Sequence, residues 1–312
     1  MVRLRSPSTP SKIEGLILNS YAKLNLYLLV INKRKDNYHN IKTVFERIDL
    51  SDKIILKSRR DKKIKIICNS PDVPKDNSNL TYRSASLLQE SFNINRGVDI
   101  KIVKRIPVAS GLGGGSSNAA AVLLGLKKLW RLHVAWDRIE DFAKNLGSDV
   151  PFFIYNIPFA QGEYRGEIIK PLKMLDKIRL WHILVVPKIK VSTAGIYERW
   201  DAYKQNQLKS EKGKLTIPKY NAKIVNLALK KKDFSLMGEV LFNSLEQITM
   251  ELYPEVRLVK ERLRQLGLKT ILMSGSGPAV FAIVSSRKEA VSLGRRIQGE
   301  NKSWRVFATK TA

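Results

Sequence analysis

The clearest alternation of apolar and polar positions runs over residues 16–31, where Ala22, Leu24, Leu26, Leu28 and Val30 share one face. That period of two predicts a strand. Further strands are predicted at 43–49, 53–57, 62–68 and 98–104. The period then lengthens. "NSNLTYRSASLLQESF" (77–92) has helical spacing behind a polar start. Residues 117–130 carry Ala119, Ala120, Val122, Leu123, Leu126 and Leu129 as a helical apolar stripe. Residues 136–146 predict another helix, ended by Gly147 as a left-handed cap. Pro151 biases Val150 to an extended backbone, so the chain there is read as having left the helix. The polar, lysine-rich stretch 201–222 predicts an exposed connection. Beyond it the pattern predicts helices near 234–248 and 254–266, a strand at 270–273, a loop from Ser274 to Pro278 and a strand at 279–285. A helix at 287–298 and a last strand at 304–309 close the chain. Strands and helices mix without strict βαβ alternation, which predicts an α+β fold with two lobes. The length of 312 residues suits two domains that share an interface: a tail over 1–15, an N-terminal lobe over 16–180 and a C-terminal lobe over 181–312.

Composition narrows the function classes. Hydrophobic residues at 44% suffice for a buried core, and no run approaches the length of a membrane span, so no membrane partner is expected. The first fifteen residues are basic and contain prolines and serines, without the apolar stretch of a signal peptide. The single cysteine, Cys68, can form no internal disulfide, which fits a reducing compartment and a cytoplasmic protein. His39, His133 and His182 are widely separated, and no metal-ligand spacing of His and Cys exists, so no residue is assigned to a metal. The 56 Lys+Arg against 28 Asp+Glu give a net charge of +28. Such an excess suits nucleic acid, a membrane surface or polyanionic small molecules. It is scattered, however, and its short runs (33–35, 57–65, 230–232) lack the interleaved aromatics that stack bases. A solvated basic surface is the simpler reading, and nucleic acid is not the expected partner.

The most informative segment is "PVASGLGGGSSNAAAVLLGL" (107–126), with four glycines between Gly111 and Gly115. It lacks the Gly-Lys-Ser/Thr of a Walker loop and the third glycine of the dinucleotide fingerprint. The physics beneath both persists. Glycines let a ligand approach the backbone amides, and Ser116, Ser117 and Asn118 are N-cap residue types before an apolar helix. A helix start offers unpaired N–H groups and the positive end of its dipole. The segment reads as a phosphate cradle; a tight strand-to-helix turn would need fewer glycines. Lys23 and Asn25 stand two apart on the strand, about 7 Å from each other on the face opposite the apolar one; a merely solvated face is the other reading. Asp149 is either a polar turn residue or, beside Phe152, Phe153 and Ile154, a partly buried carboxylate needing a partner. Tyr38 and His39 lie in a polar loop, and Gly275 with Gly277 reads equally as a hairpin turn.

The same segment resembles the central motif of the GHMP kinase superfamily. Its triple glycine followed by Ser-Ser-Asn-Ala-Ala resembles, more narrowly, the 4-diphosphocytidyl-2-C-methyl-D-erythritol kinases of the non-mevalonate isoprenoid pathway. "SYAKLNLYLLVINKRKDNYHNIKTVFERIDLSD", "LGSDVPFF", "VSTAGIY" and "LMSGSGPAVFAI" resemble that family's other blocks in order, so the likeness runs from about residue 20 to 285. Ser148 departs from a common alanine without chemical loss. Ser244 in "FNSLE" departs from a common aspartate, which puts any role of that carboxylate in doubt. The resemblance implies the two-lobed GHMP fold: a ribosomal-protein-like α+β lobe and an α/β lobe, with ATP and a small-molecule substrate in the cleft. It implies ATP-dependent phosphorylation of the 2-hydroxyl of the erythritol, with Lys23 and Asp149 catalytic and Asn25 orienting the acceptor. Tyr38 and Tyr197 would stack on cytosine and His39 would bond its edge, with Thr193 in the same subsite. Asn79 and Lys104 would bind the adenosine side of ATP. Pro107, Gly111, Leu112, Gly113, Gly114, Gly115, Ser116 and Ser117 would bind its phosphates. Mg²⁺ would be held mainly by those phosphates, with a contact from Ser117. The protein would act as a monomer or homodimer, its positive surface gathering two polyanions. A homoserine- or mevalonate-type kinase and a basic nucleic-acid-binding protein are the competing readings.

Overall fold

Two long strands organise the first sheet. β1 (Gly15–Lys33) and β2 (His39–Arg59) pair antiparallel along most of their length. The structure, a computed structural model, describes residues 15–209 and 218–312. All but the last residue of the expected tail, and 210–217 of the expected exposed connection, lie outside the described residues. β1 carries register shifts at Tyr21/Ala22, Asn25/Tyr27 and Val30/Asn32. At the second shift Leu26 falls out of register and the alternation slips, so Leu26, Tyr27 and Leu28 are all buried.

The strands expected at 43–49 and 53–57 are one strand, because β2 shares its outer edge between two partners. Residues 53–59 pair with β4 (Gly97–Val103), and residues 41–46 pair with β5 (Phe159–Tyr164). β3 (Ile64–Cys68) lies parallel to β4, β6 (Ile168–Pro171) pairs with β5, and the short β8 (Phe242–Asn243) runs parallel to β1 on its free edge. Helices α1 (Leu80–Ser91), α2 (Gly114–Leu129), α3 (Trp136–Leu146) and α4 (Val150–Ile154) pack on this sheet around Ile54, Leu56, Ile100, Leu123, Phe142 and Phe152.

The second sheet has the order β11 (Arg305–Lys310), β7 (Trp181–Val186), β10 (Val280–Val284), β9 (Ile271–Met273), all antiparallel. With it go α5 (Thr193–Lys209), α6 (Ala222–Lys231), α7 (Phe234–Val240), α8 (Glu246–Leu252), α9 (Pro254–Gln265) and α10 (Arg287–Glu300).

Four expectations are corrected. Gly147 is extended (φ 166°, ψ 158°), so it ends α3 without a left-handed cap. Pro151 opens α4 instead of excluding a helix: proline fits the first turn, where its missing N–H has no acceptor anyway, and burial of Val150 through Ile154 outweighs the pre-proline bias. The helix expected at 234–248 is broken into α7, β8 and α8. Asn243 breaks it, its amide donating to the carbonyls of Met273 and Gly275 (both 2.8 Å) while its oxygen accepts from Leu245 N. The first half of the expected connection 201–222 is helix α5.

β1 and β2 meet the second sheet through Leu24, Leu26 and Ile48 against Leu184, Phe281 and Ile283. Inside this apolar contact sits a sealed polar group. His182 Nε2 lies 2.9 Å from Glu46 Oε1, and the Thr311 hydroxyl donates to the same oxygen at 2.6 Å. That hydroxyl also accepts from Leu180 N at 2.8 Å. Thr311→Val keeps the volume but leaves Leu180 N–H unpaired and a buried carboxylate short of a donor. It should lower stability by about 2 kcal/mol, read as a lower urea midpoint with an unchanged slope.

Candidate active site

The two sheets leave a cavity of about 1130 Å³ between them, lined by β1, the 107–116 segment, Ser148 and Asp149, the start of α5 and the β9–β10 hairpin. Its floor is the start of α2. Gly113 takes the cap position in the left-handed conformation (φ 67°, ψ 18°) without a side-chain bond. α2 therefore begins at Gly114, three residues ahead of expectation, and Ser116, Ser117 and Asn118 lie inside it. Glycine is required at Gly113 both by φ and by space: a Cβ would meet Lys23 Cγ and Phe153 Cζ at 3.0 Å. The first intrahelical bond is Ser117 N to Gly113 O, so the amides of Gly114, Gly115 and Ser116 have no helical acceptor. A Cβ on Gly115 would meet nothing within 4 Å.

Among the residues that the resemblance gives to ATP, Pro107 and Gly111 through Ser116 line this cavity, as do Asn79 and Lys104. Ser117 does not. It is buried, and its hydroxyl accepts from Ser20 at 2.7 Å. The Asn79 amide is committed within the chain: Oδ1 caps α1 by accepting from Thr81 N, and Nδ2 donates to Pro74 O. Lys104 is half-buried, its side chain only 7% exposed, and Asp52 holds its ammonium at 2.5 Å, close to Gly114 at the helix start. The backbone N–H groups of Arg105 and Ile106 hold the other Asp52 oxygen.

Lys23 and Asn25 are brought together with Asp149, and the face they share is buried and not solvated. Lys23 Nζ donates to Asn25 Oδ1 at 2.5 Å and stands 3.5 Å from Asp149 Oδ2. Asn25 Nδ2 donates to the Thr43 hydroxyl, which donates onward to Tyr27 O. The Asp149 side chain makes no capping bond to α4 and stays about one-third exposed to the cavity. The second glycine loop is indeed a hairpin turn between β9 and β10, and Gly275 and Ser276 also line the cavity. The Ser274 hydroxyl accepts from Asn25 N and donates to Gly111 O, which joins the hairpin to both β1 and the first glycine loop.

At the other end of the cavity are Tyr38, His39, Thr193 and Tyr197. Tyr38 is exposed, with the Arg165 guanidinium 4.9 Å over its ring. His39 is buried, its ring 4.7 Å from that of Tyr197 at 31°. Burial, with the Asp149 carboxylate adding to it, pushes the Tyr197 phenol well above its usual range, so it stays neutral. The Thr193 hydroxyl bonds Ser276 at 2.8 Å.

Asp201, Arg165, Ser274 and Asn243 were not found from the sequence. Asp201 lay in a stretch read as solvated, and Asn243 inside a supposed helix. The Ser244 hydroxyl, at the position lacking a carboxylate, accepts from Val30 N on β1. Lys23, Lys33, Lys104 and Arg165 are the cations lining the cavity, and each is ion-paired. Among the described residues no group of three or more His, Cys, Asp or Glu is arranged to hold a metal. None of the described helices is long and apolar enough to cross a membrane.

Residues 79–156 match the GHMP kinases N terminal domain and residues 226–302 the GHMP kinases C terminal family. A 4-diphosphocytidyl-2-C-methyl-D-erythritol kinase of Shouchella clausii (strain KSM-K16) is 40% identical over 281 residues, 89% of each chain. A crystal structure of a 4-(cytidine 5'-diphospho)-2C-methyl-D-erythritol kinase superposes with TM-score 0.76 at 30% identity, covering 95% of this chain and 100% of that one. A mevalonate kinase of L. major shares the fold at TM-score 0.71 and 16% identity, over 98% of each chain. By these likenesses the chain belongs to the GHMP kinases and, within them, to the family of 4-diphosphocytidyl-2-C-methyl-D-erythritol kinases.

Proposed function

We propose that the protein transfers the terminal phosphoryl group of ATP to the 2-hydroxyl of 4-diphosphocytidyl-2-C-methyl-D-erythritol, giving the 2-phosphate and ADP. The observation that carries this is the Lys23–Asp149 pair, 3.5 Å apart, in one cavity with the unpaired helix-start amides and an aromatic pocket. Phosphoryl transfer needs in-line positioning, charge neutralisation and an acceptor for the hydroxyl proton. The amides of Gly114, Gly115 and Ser116, at the positive end of α2, would cradle the phosphates, with Lys104 beside them. The Lys23 ammonium would stabilise charge on the transferring phosphoryl and lower the pKa of the acceptor hydroxyl. Asn25 aims that ammonium through its 2.5 Å bond. The hydroxyl oxygen would bond to the γ-phosphorus as the bond to the β–γ bridging oxygen breaks, and its proton would pass to Asp149 Oδ2. Mg²⁺, held mainly by the ATP phosphates, would supply further charge neutralisation.

The aromatic pocket favours the cytidine substrate over homoserine or mevalonate. Neither of those has a base to stack at the end of the cavity that Tyr38, His39 and Tyr197 line.

ADP release with the cytidine substrate, with homoserine, with mevalonate and with no acceptor tests the reading directly: only the first should support turnover. Release with homoserine or mevalonate alone would reassign the substrate; no release with any would remove the kinase assignment. Asp149→Asn should lower that release by at least about 100-fold with the thermal melt unchanged, and retained activity would exclude Asp149 as the base.

Gly115→Ala separates a phosphate cradle from a mere turn. The new Cβ enters open space at a helical position, so stability should hold or rise by up to about 1 kcal/mol. The Michaelis constant for ATP should nevertheless rise about tenfold or more, because the methyl stands where phosphate must approach the amides. An unchanged constant would make the glycine a structural feature only.

A further inference from the structure

Helix α5 grips one side chain with three residues of a single face. Tyr197, Trp200 and Asp201 recur at i, i+3 and i+4, and all three touch His39. Tyr197 lies against its ring at 4.7 Å, Trp200 presents an edge contact at 5.7 Å and 89°, and Asp201 Oδ1 stands 2.7 Å from Nε2. Lys33, which faces His39 across the β1–β2 register, holds the other Asp201 oxygen at 3.0 Å. His39 is only 6% exposed, so its ring is fixed in place.

The bond to Asp201 decides more than position. Burial works to raise the Asp201 carboxyl, but the hydrogen bond from His39 and the nearby Lys33 ammonium overcome it and hold the group below its usual range. A carboxylate has lone pairs and no proton to give, so His39 Nε2 must carry the hydrogen. In the neutral ring Nδ1 is then an acceptor. Nothing among the described residues bonds Nδ1, it is not among the sealed polar atoms, and His39 lines the cavity. The open atom of the pocket thus asks for an N–H donor. On a pyrimidine edge the 4-amino group of cytosine supplies one; uracil puts a 4-oxo lone pair in the same place.

We propose that Asp201 is a positioning residue that locks His39 as the Nε2–H tautomer and so selects a 4-amino pyrimidine over a 4-oxo one. This rests on the cytidine substrate proposed above. A site that offers an unpaired acceptor rejects a ligand lacking the donor more strongly than an apolar wall rejects a change of shape.

Two measurements on the full-length protein test it. The first needs no substrate: ¹⁵N–¹H spectra of the histidine rings at pH 8, with His39 assigned by its loss in His39→Asn. Wild type should show a single Nε2–H tautomer at His39. Asp201→Ala, and the shape-preserving Asp201→Asn, should give a mixture or the opposite tautomer, while Asp201→Glu restores the original. The second is kinetic. In Asp201→Ala and Asp201→Asn the Michaelis constant for the cytidine substrate should rise about tenfold, that of one lost hydrogen bond, with the constant for ATP and kcat within about twofold. The preference in kcat/KM for the cytidine substrate over its uridine analogue should fall by at least about tenfold. A His39 tautomer unchanged in Asp201→Ala, or a ring protonated on both nitrogens in wild type at pH 8, overturns the lock. An unchanged cytidine-to-uridine ratio overturns the selection. Wild-type protein that uses neither pyrimidine substrate overturns the proposed function and the selection with it, while the spectra still decide the lock.

Discussion

The contact of two bare backbones holds the reaction centre together. Gly111 lies so close to the β9–β10 hairpin that a Cβ on it would stand 2.2 Å from Ser274 O, and a Cβ on Gly275 would stand 3.2 Å from Gly111 O. Gly111, Gly113, Gly275 and Gly277 all have positive φ, which side chains resist. Few other residues could make this approach. Once made, it is bonded on every side: Ser274 ties Asn25 N to Gly111 O, Ala279 N reaches Ser110 O, and Asn243 holds the carbonyls flanking Ser274. The strand bearing Lys23, the start of α2 and the hairpin of the second sheet are therefore one body where they meet. Beside the cleft the two sheets touch through backbone, while the bulky contact of Leu24, Leu26 and Ile48 with Leu184, Phe281 and Ile283 carries their packing elsewhere.

In the proposed reaction, that construction lets a chain of +28 build a selective anion site. The excess charge lies outside the cavity, where Asp36, Asp72, Asp149, Glu198 and Asp201 face four cations. In the proposed reaction, attraction for phosphate at the centre would fall instead to fixed backbone dipoles, which need no reorganisation as charge moves. Pairing also sets where each cation points. Lys104 is held by a carboxylate that is itself held by two backbone N–H groups, and Lys23 is held between Asn25 and Asp149. A lysine aimed in this way loses less freedom on meeting a phosphate than one on the basic surface, where screening and side-chain entropy take most of the gain.

The parts legible in the sequence were those that depend on local physics. Four glycines before an apolar stripe read as a close approach at a helix start, and the period of two placed Lys23 and Asn25 together. What the sequence hid was set by distant contacts. Ser116, Ser117 and Asn118 looked like caps, but the left-handed Gly113 starts the helix ahead of them. Asn243 reads as an ordinary helical residue until the carbonyls of Met273 and Gly275 need donors. Asp201 reads as solvated beside so many lysines, since its partners are a histidine 162 positions away and the end of β1. β7 is a short apolar run whose strand character comes from lying between β10 and β11. The aspartate motif misled in a different way: Pro151 disfavours helix before it, yet the first turn of a helix is where proline fits best.

The geometry of β1 links recognition to reaction. Ten residues of straight strand advance about 33 Å, yet Lys23 and Lys33 line the same cavity. The register shifts at Asn25/Tyr27 and Val30/Asn32 lie between them, and each bends the strand while turning a different side chain to its face. The bent strand wraps the cavity with Lys23, beside Asp149, near its middle and the His39 pocket at its end. In the proposed reaction the base and the reacting hydroxyl belong to opposite ends of one extended substrate, so the path along β1 sets their separation. Binding energy gathered at the base, far from any bond that changes, then holds the hydroxyl within reach of Lys23 and Asp149.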